Sequence, residues 1–225
     1  MSVSPEIQLT ADGSHTLFIP ELDEHYHSVN GAIQESKHVF IDAGLHQVEK
    51  EKINILEIGF GTGLNTFLTL LDTLSSGKRI DYITLEAYPL KDSITEKLNY
   101  SSHFSDIDKN LFTDLHSAEW EKETIITSSF FLTKIEADFT IFDFSRFEHT
   151  FDLIYFDAFA PDKQPQMWTQ PLFDKLYRVT AESGILTTYC AKGAVRRMLQ
   201  QAGYRVERLP GPPGKREMLR AVKDL

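Results

Sequence analysis

Glu57-Ile-Gly59-Phe-Gly61-Thr-Gly63 follows the apolar run Ile53-Asn-Ile-Leu, and Glu86 ends a second such run. Glycines at alternate positions let a backbone turn sharply from strand to helix and approach a ligand with no Cβ in the way. Glu86, one strand further on, can accept hydrogen bonds from two ribose hydroxyls. A dinucleotide fingerprint would read G-x-G-x-x-G, whereas this turn carries Gly59, Gly61 and Gly63 with an acid two positions ahead. A carboxylate there repels a pyrophosphate and favours a ligand that carries a cation. S-adenosylmethionine, with an amino group, a sulfonium and no phosphate, is the cofactor expected. Any one of these glycines alone is equally explained by a tight strand–helix turn. Asp157 is the second chemical feature, because it ends the apolar run Phe151–Phe156 and faces the same crevice as the glycine turn.

Strands and helices must alternate to bring these residues to one edge. The pattern predicts strand 53–58, helix 63–75, strand 80–86 and helix 89–99, with Pro89 in the first turn of that helix. One or two short helices follow over 102–122, then strands 130–136 and 151–156, helix 169–181, strand 184–189 and helix 191–202 ending at Gly203. Strands 204–209 and 217–223 are too close in sequence for a crossover helix and must be antiparallel. Upstream, a hairpin over 6–20 and a helix over about 31–49 form an extension. The expected division is 1–50 for that extension and 51–225 for the main domain. The fold class expected is α/β, a class I S-adenosylmethionine-dependent methyltransferase (Rossmann-like). Its sheet is mostly parallel and seven-stranded, with a C-terminal antiparallel hairpin.

Bulk properties agree with an ordinary globule. Hydrophobic residues make up 41% and charged residues 25%, and the formal charge of −10 argues against wholesale coating of nucleic acid while leaving room for a local basic face. Cys190 is the single cysteine, which excludes an internal disulfide and a cysteine metal cluster. The N-terminus lacks the basic start and apolar run of a signal peptide, and no segment is long and apolar enough to span a membrane; the cytoplasm is the expected compartment. His25, His27 and His38 lack a third ligand at a recognised spacing, so no metal is expected.

The chain resembles the bacterial tRNA 5-methylaminomethyl-2-thiouridine methyltransferases, which complete the methylaminomethyl group on the wobble uridine of certain tRNAs. The resemblance rests on Glu57-Ile-Gly-Phe-Gly-Thr-Gly-Leu-Asn65, on Phe156-Asp-Ala-Phe-Ala-Pro-Asp-Lys-Gln-Pro-Gln-Met-Trp168 and on Gly214-Lys-Arg-Glu-Met-Leu219. It also takes in Tyr26 through Leu45, with Glu35-Ser-Lys-His-Val-Phe40, and so covers nearly the whole chain. In two-domain members an FAD-dependent oxidoreductase domain follows and makes the aminomethyl intermediate. This sequence ends at Leu225, so the stand-alone methyltransferase form is expected, with a separate enzyme system supplying the aminomethyl group.

That resemblance implies roles for particular residues. It assigns the catalytic aspartate to Asp157, and the chemistry agrees: a carboxylate can hold an amine N–H, orient the lone pair and stabilise the developing ammonium. Phe60 and Asn65 join the cofactor turn, and Tyr26 either closes over the cofactor or belongs to a structural wrap. Asp138, after strand 130–136, stands where related folds place an acid on the adenine amino group, with Asp143 as its rival. Phe159, Pro161 and Trp168 could wall a pocket for an everted uracil, or Trp168 could belong to an apolar loop over the sheet edge. Lys192, Lys215 and Arg216, with Arg196 and Arg197 as either contacts or solvated surface, supply a modest basic face for tRNA phosphates. A monomer is expected. The alternatives are a methyltransferase of another RNA or a small amine, and a non-catalytic cofactor- or RNA-binding module.

Overall fold

Ala11-Asp12-Gly13-Ser14 closes a hairpin between β1 (Glu6–Leu9) and β2 (His15–Ile19). Asp12 Oδ1 caps the turn, accepting from the Ser14 N–H at 3.1 Å and the Thr10 hydroxyl at 2.7 Å. β3 (Glu24–His25) completes a small three-stranded sheet. The single helix expected over 31–49 is instead three pieces: α1 (Ala32–Ser36), a π-helical stretch Lys37–Asp42 and a 3-10 turn Leu45–Gln47, with Gly44 leaving the helical path between the last two. The π turn brings Val39, Phe40 and Ile41 into the core together.

The computed structural model describes residues 5–104 and 109–224. Its main body opens with β4 (Lys52–Ile58), which buries both faces as a central parallel strand must: Ile53 and Ile55 enter one core, Leu56 and Ile58 the other. There follow α2 (Leu64–Ser76), β5 (Arg79–Glu86), α3 (Asp92–Thr95) and α4 (Asn110–Ser117). The helix expected over 89–99 contracts to α3, with Pro89 ahead of it instead of in its first turn. Of the expected insertion 102–122, residues 105–108 lie outside the described residues. Next come β6 (Glu123–Thr127), β7 (Phe130–Glu136), β8 (Phe151–Phe156), α5 (Gln170–Val179) and β9 (Thr180–Thr188). The chain ends in α6 (Gly193–Ala202), β10 (Arg205–Pro210) and β11 (Glu217–Val222).

The sheet runs β10-β11-β9-β8-β4-β5-β7-β6, parallel from β9 to β7. It has eight strands, not the seven expected. The extra one, β6, is antiparallel to β7 at the edge, and its Ile125 faces solvent. An edge strand with one wet face and no crossover helix carries little of the pattern that reveals a buried strand. The C-terminal hairpin is antiparallel as expected, with β11 seated between β9 and β10.

α1, the π-helical stretch, α2 and α4 cover one face, and α5 and α6 the other. The N-terminal residues share the first core with the sheet: Phe40 lies 5.0 Å, ring to ring, from Tyr155 of β8. β4, β5, β7 and β8 end at one edge, in Ile58, Glu86, Glu136 and Phe156. Phe156 is fully buried and holds the last residue of β8 in place, its ring meeting Trp168 at 4.9 Å, Phe173 at 5.4 Å and Phe139 at 5.7 Å. Replacing it with alanine removes that packing and leaves a cavity, so Phe156→Ala should lower the unfolding free energy by about 3–5 kcal/mol. A urea titration showing a loss below about 1 kcal/mol would contradict this account of the core.

Candidate active site

Gly59 opens the turn after β4 at φ 95°, and a Cβ there would lie 2.9 Å from the carbonyl oxygen of Asp157. The absent side chain lets the ends of β4 and β8 touch, which sets the aspartate against the glycine turn. Gly61, at φ 50°, faces the Tyr26 ring at the distance where a Cβ would be 3.0 Å from two ring carbons. Its N–H donates to Glu86 Oε2 at 2.9 Å, and Glu86 Oε1 accepts from the Tyr88 N–H at 2.8 Å. Each carboxylate oxygen keeps a further lone pair for a ligand hydroxyl. Gly63 is the N-cap of α2 and lies behind the turn against His116.

Gly59, Gly61 and Glu86 border a cavity of about 430 Å³ whose lining also includes Asn65, Asp138 and Asp157, with Gly63 outside it. Asn65 Nδ2 donates to Asp157 Oδ2 at 2.8 Å. Enclosure by protein pushes the Asp157 carboxyl up to about 7, against the opposing pull of the Asn65 hydrogen bond. Glu57, expected to line the crevice, lies beneath it. Its side chain projects on the α2 side of β4, is fully buried, and accepts from the Thr66 hydroxyl at 3.0 Å through Oε2. Burial pushes Glu57 up to about 8, so the group is mainly neutral at pH 7 and does not present the exposed charge expected of it. Glu57 Oε1 and Asn65 Oδ1 are buried acceptors without a hydrogen-bond partner among the described residues.

Phe60 contributes to the lining but turns its ring toward His116 and Trp120, at 5.3 and 6.1 Å. Asp138 borders the cavity, with Oδ1 accepting from the Thr140 N–H at 2.8 Å. Asp143 lies away from it, bonded to Ser145, so the geometry favours Asp138 over its rival.

The other half of the cavity is walled by Tyr26 and Phe159, whose rings meet edge-on at 5.1 Å. Trp168 does not reach it. The indole is 5% exposed, donates Nε1–H to the Phe159 carbonyl at 2.8 Å, and packs on Phe156 and Phe173, so it holds the loop from behind. Pro161 is also outside the lining. Lys215 points into the cavity and is engaged there, its Nζ 2.6 Å from Glu35 Oε1 and 3.9 Å from the Tyr189 ring centroid. Arg216 and Arg197 are exposed, Arg196 is half-buried, and Lys192 is exposed and paired with Asp162.

Residues that sequence reasoning did not select also form the walls. Glu35, Thr62, Gln164 and Tyr189 line the cavity. Glu35, Thr62 and Gln164 lie within segments that carry the resemblance, whereas Tyr189 lies outside them. The three histidines go to separate partners: His25 to Gln8, His27 to Thr62 and His38 to the Pro210 carbonyl. Among the described residues no group of three or more His, Cys, Asp or Glu could hold a metal, and no helix is long and apolar enough to cross a membrane.

The cavity has the features a nucleoside-bearing sulfonium requires. Its glycine cradle would be filled by any Cβ, Glu86 offers acceptors to hydroxyls, and the unpartnered Asn65 Oδ1 belongs to a residue of the lining, where an N–H group can be met. A family model described as S-adenosyl-L-methionine-dependent methyltransferase matches residues 107–224. The tRNA 5-methylaminomethyl-2-thiouridine biosynthesis bifunctional proteins MnmC of Marinomonas sp. (strain MWYL1) and Pseudoalteromonas atlantica are 29% and 32% identical over 96% of this chain. The chain spans about a third of the length of these relatives, 33% of each. The crystal structure of MNMC2 from Aquifex aeolicus superposes with a TM-score of 0.79 at 27% identity, covering 97% of this chain and 69% of that one. Spermidine synthase from Thermotoga maritima shares the fold, with a TM-score of 0.58 at 14% identity over 99% of this chain and 70% of that one. With a glycine cradle, acidic acceptors and a family match over more than half its length, the chain belongs to the S-adenosyl-L-methionine-dependent methyltransferases.

Proposed function

We propose that this protein methylates the exocyclic amine of 5-aminomethyl-(2-thio)uridine at the tRNA wobble position, giving the 5-methylaminomethyl form. The observation that carries the reading is Asp157, held by Asn65 at the junction of the cofactor turn and an aromatic-walled half-cavity. The names of the MnmC relatives support the same substrate. In this reading the aminomethyl group comes from a separate enzyme system, and the protein acts in the cytoplasm as a monomer without a metal.

S-adenosyl-L-methionine, when bound, supplies the electrophilic methyl group. Gly59 and Gly61 give its backbone-close seat, Glu86 receives the ribose hydroxyls, Asp138 the adenine amino group, and Tyr26 closes over Gly61. On the acceptor side Phe159 stacks on the everted base, while Trp168 and Pro161 shape its loop. Asp157 accepts an N–H of the amine, orients the nitrogen lone pair and stabilises the ammonium that develops. Its affinity for a proton, well above that of a free carboxylate, also suits it to take that proton near neutral pH. Lys192, Arg216 and the neighbouring Arg196 and Arg197 meet phosphates, which fix the tRNA without reading its sequence.

The reading is tested by single-turnover transfer into tRNA with and without the aminomethyl group. Asp157→Asn removes the charge at constant volume and should slow transfer by about ten- to a thousand-fold, equivalent to roughly 1.4–4 kcal/mol of transition-state interaction. The wild-type rate should rise through about pH 7 as Asp157 ionises, and the variant should lose that limb. A normal rate in Asp157→Asn, or equal transfer into unmodified tRNA, would overturn the proposal.

Gly61→Val places a branched side chain at positive φ against the Tyr26 ring and should abolish cofactor binding. Calorimetry showing wild-type affinity in a folded Gly61→Val protein would refute the seat assigned to the cofactor. Lys192→Ala with Arg216→Ala should raise the tRNA concentration for half-maximal rate and flatten its salt dependence, with cofactor affinity preserved. An unchanged tRNA titration would leave those side chains as ordinary surface.

A further inference from the structure

Glu35 has a structural task as a hydrogen-bond acceptor. Its Oε2 accepts from the Ser28 N–H at 2.7 Å, which anchors the segment carrying Tyr26 and His27 across the cavity. The same carboxylate is 6% exposed and opposes ionisation of Asp157, because a like charge nearby disfavours the anion. A group that must be anionic to receive an amine thus shares its cavity with a second carboxylate.

Lys215 answers that conflict. Its ammonium stands between Glu35 Oε1 and the face of Tyr189, and Tyr189 in turn donates its hydroxyl to the carbonyl of Ala158, the residue after Asp157. The loop that carries Lys215 is docked on the N-terminal segment: Asn30 lies against Gly214, and His38 Nε2 bonds to the Pro210 carbonyl at 2.8 Å. Lys215 is the only lysine or arginine among the described residues that line the cavity.

We propose that Lys215 is a positioning residue for Asp157: by neutralising Glu35 across the cavity, it keeps the reactive carboxylate ionised while the N-terminal segment stays anchored. This rests on the reading of Asp157 as the group that receives the amine. The remaining groups around Asp157 are accounted for. From α2, Asn65 donates to it, and from β4, Glu57 lies beneath it. Glu24, His25, Tyr26 and His27 face the cavity from the N-terminal segment, Glu86 and Tyr88 from the end of β5, Asp138 from beyond the end of β7, and Tyr189 from the end of β9, next to the buried Cys190. Burial pushes His27 down to about 4 and the Tyr189 hydroxyl upward, so both are neutral near pH 7 and neither can replace the Lys215 charge.

The test is a titration of aspartate side-chain carboxyls by carbon-13 NMR in the full-length protein, with Asp157→Asn identifying the Asp157 resonance. Lys215→Met should raise the Asp157 midpoint by at least about half a unit, and Glu35→Gln should lower it by a similar amount. The double variant should return close to wild type, and Lys215→Arg should keep the wild-type midpoint and show that the site is folded. The low-pH limb of single-turnover transfer should move with the titration in each variant. An Asp157 midpoint unmoved in both Lys215→Met and Glu35→Gln would overturn the proposal and leave Lys215 as a latch or a phosphate contact. A midpoint that moves while the activity limb stays fixed would instead remove Asp157 from the mechanism, with the ion pair acting on it all the same.

Discussion

The site depends on a backbone contact. β4 and β8 are neighbours in the sheet, and where they end, Gly59 and the Asp157 carbonyl come so close that no side chain fits between them. Parallel strands of one sheet necessarily release their chains at the same edge, but they do not by themselves bring two loops into contact. The missing Cβ does that. It seats the cofactor turn against the aspartate, and Asn65, one residue into α2, then spans the join with a hydrogen bond. In the proposed reaction the two halves of the methyl transfer are therefore adjacent before any ligand arrives, which is the preorganisation a displacement reaction needs.

Everything else at that edge manages charge in an enclosed place. Glu57 is held neutral under the turn, and Glu86 is tied to two backbone N–H groups. Glu35 is matched by Lys215. Asp157 alone combines an acceptor of intermediate proton affinity with access to the cavity. Divergent environments for carboxyls in and beneath one crevice support the proposed role of Asp157 as the reacting group.

The sheet and the glycine turn were legible because their causes are local. Strand 130–136 shows in its alternation of apolar and polar residues, and strand 151–156, buried along its whole length, in a nearly continuous apolar run. β6 was missed because a half-wet edge strand has no such run, and α3 was overdrawn because its apolar residues continue into a 3-10 turn at Tyr100. At the site, Gly59, Gly61, Glu86 and Asp157 could be read from motif and strand end. The direction of a side chain could not. Glu57 sits on the strand face turned toward α2, and Trp168 folds back onto Phe156, outcomes decided by packing partners far away in sequence. Sequence alone offers Lys215 as a phosphate contact, because its partner Glu35 lies at the opposite end of the chain.

That partnership also sets a timetable. Glu35 and Lys215 are separated by 180 residues, so during synthesis the first waits for the second. At ribosomal speeds of about 5–20 residues per second the interval is roughly 10–40 seconds. Over that interval β4, β5 and α2 can already be assembling the cofactor seat, whereas the wall opposite Asp157 has only its N-terminal half. The ion pair that completes that wall forms only when nearly all of the chain has been made.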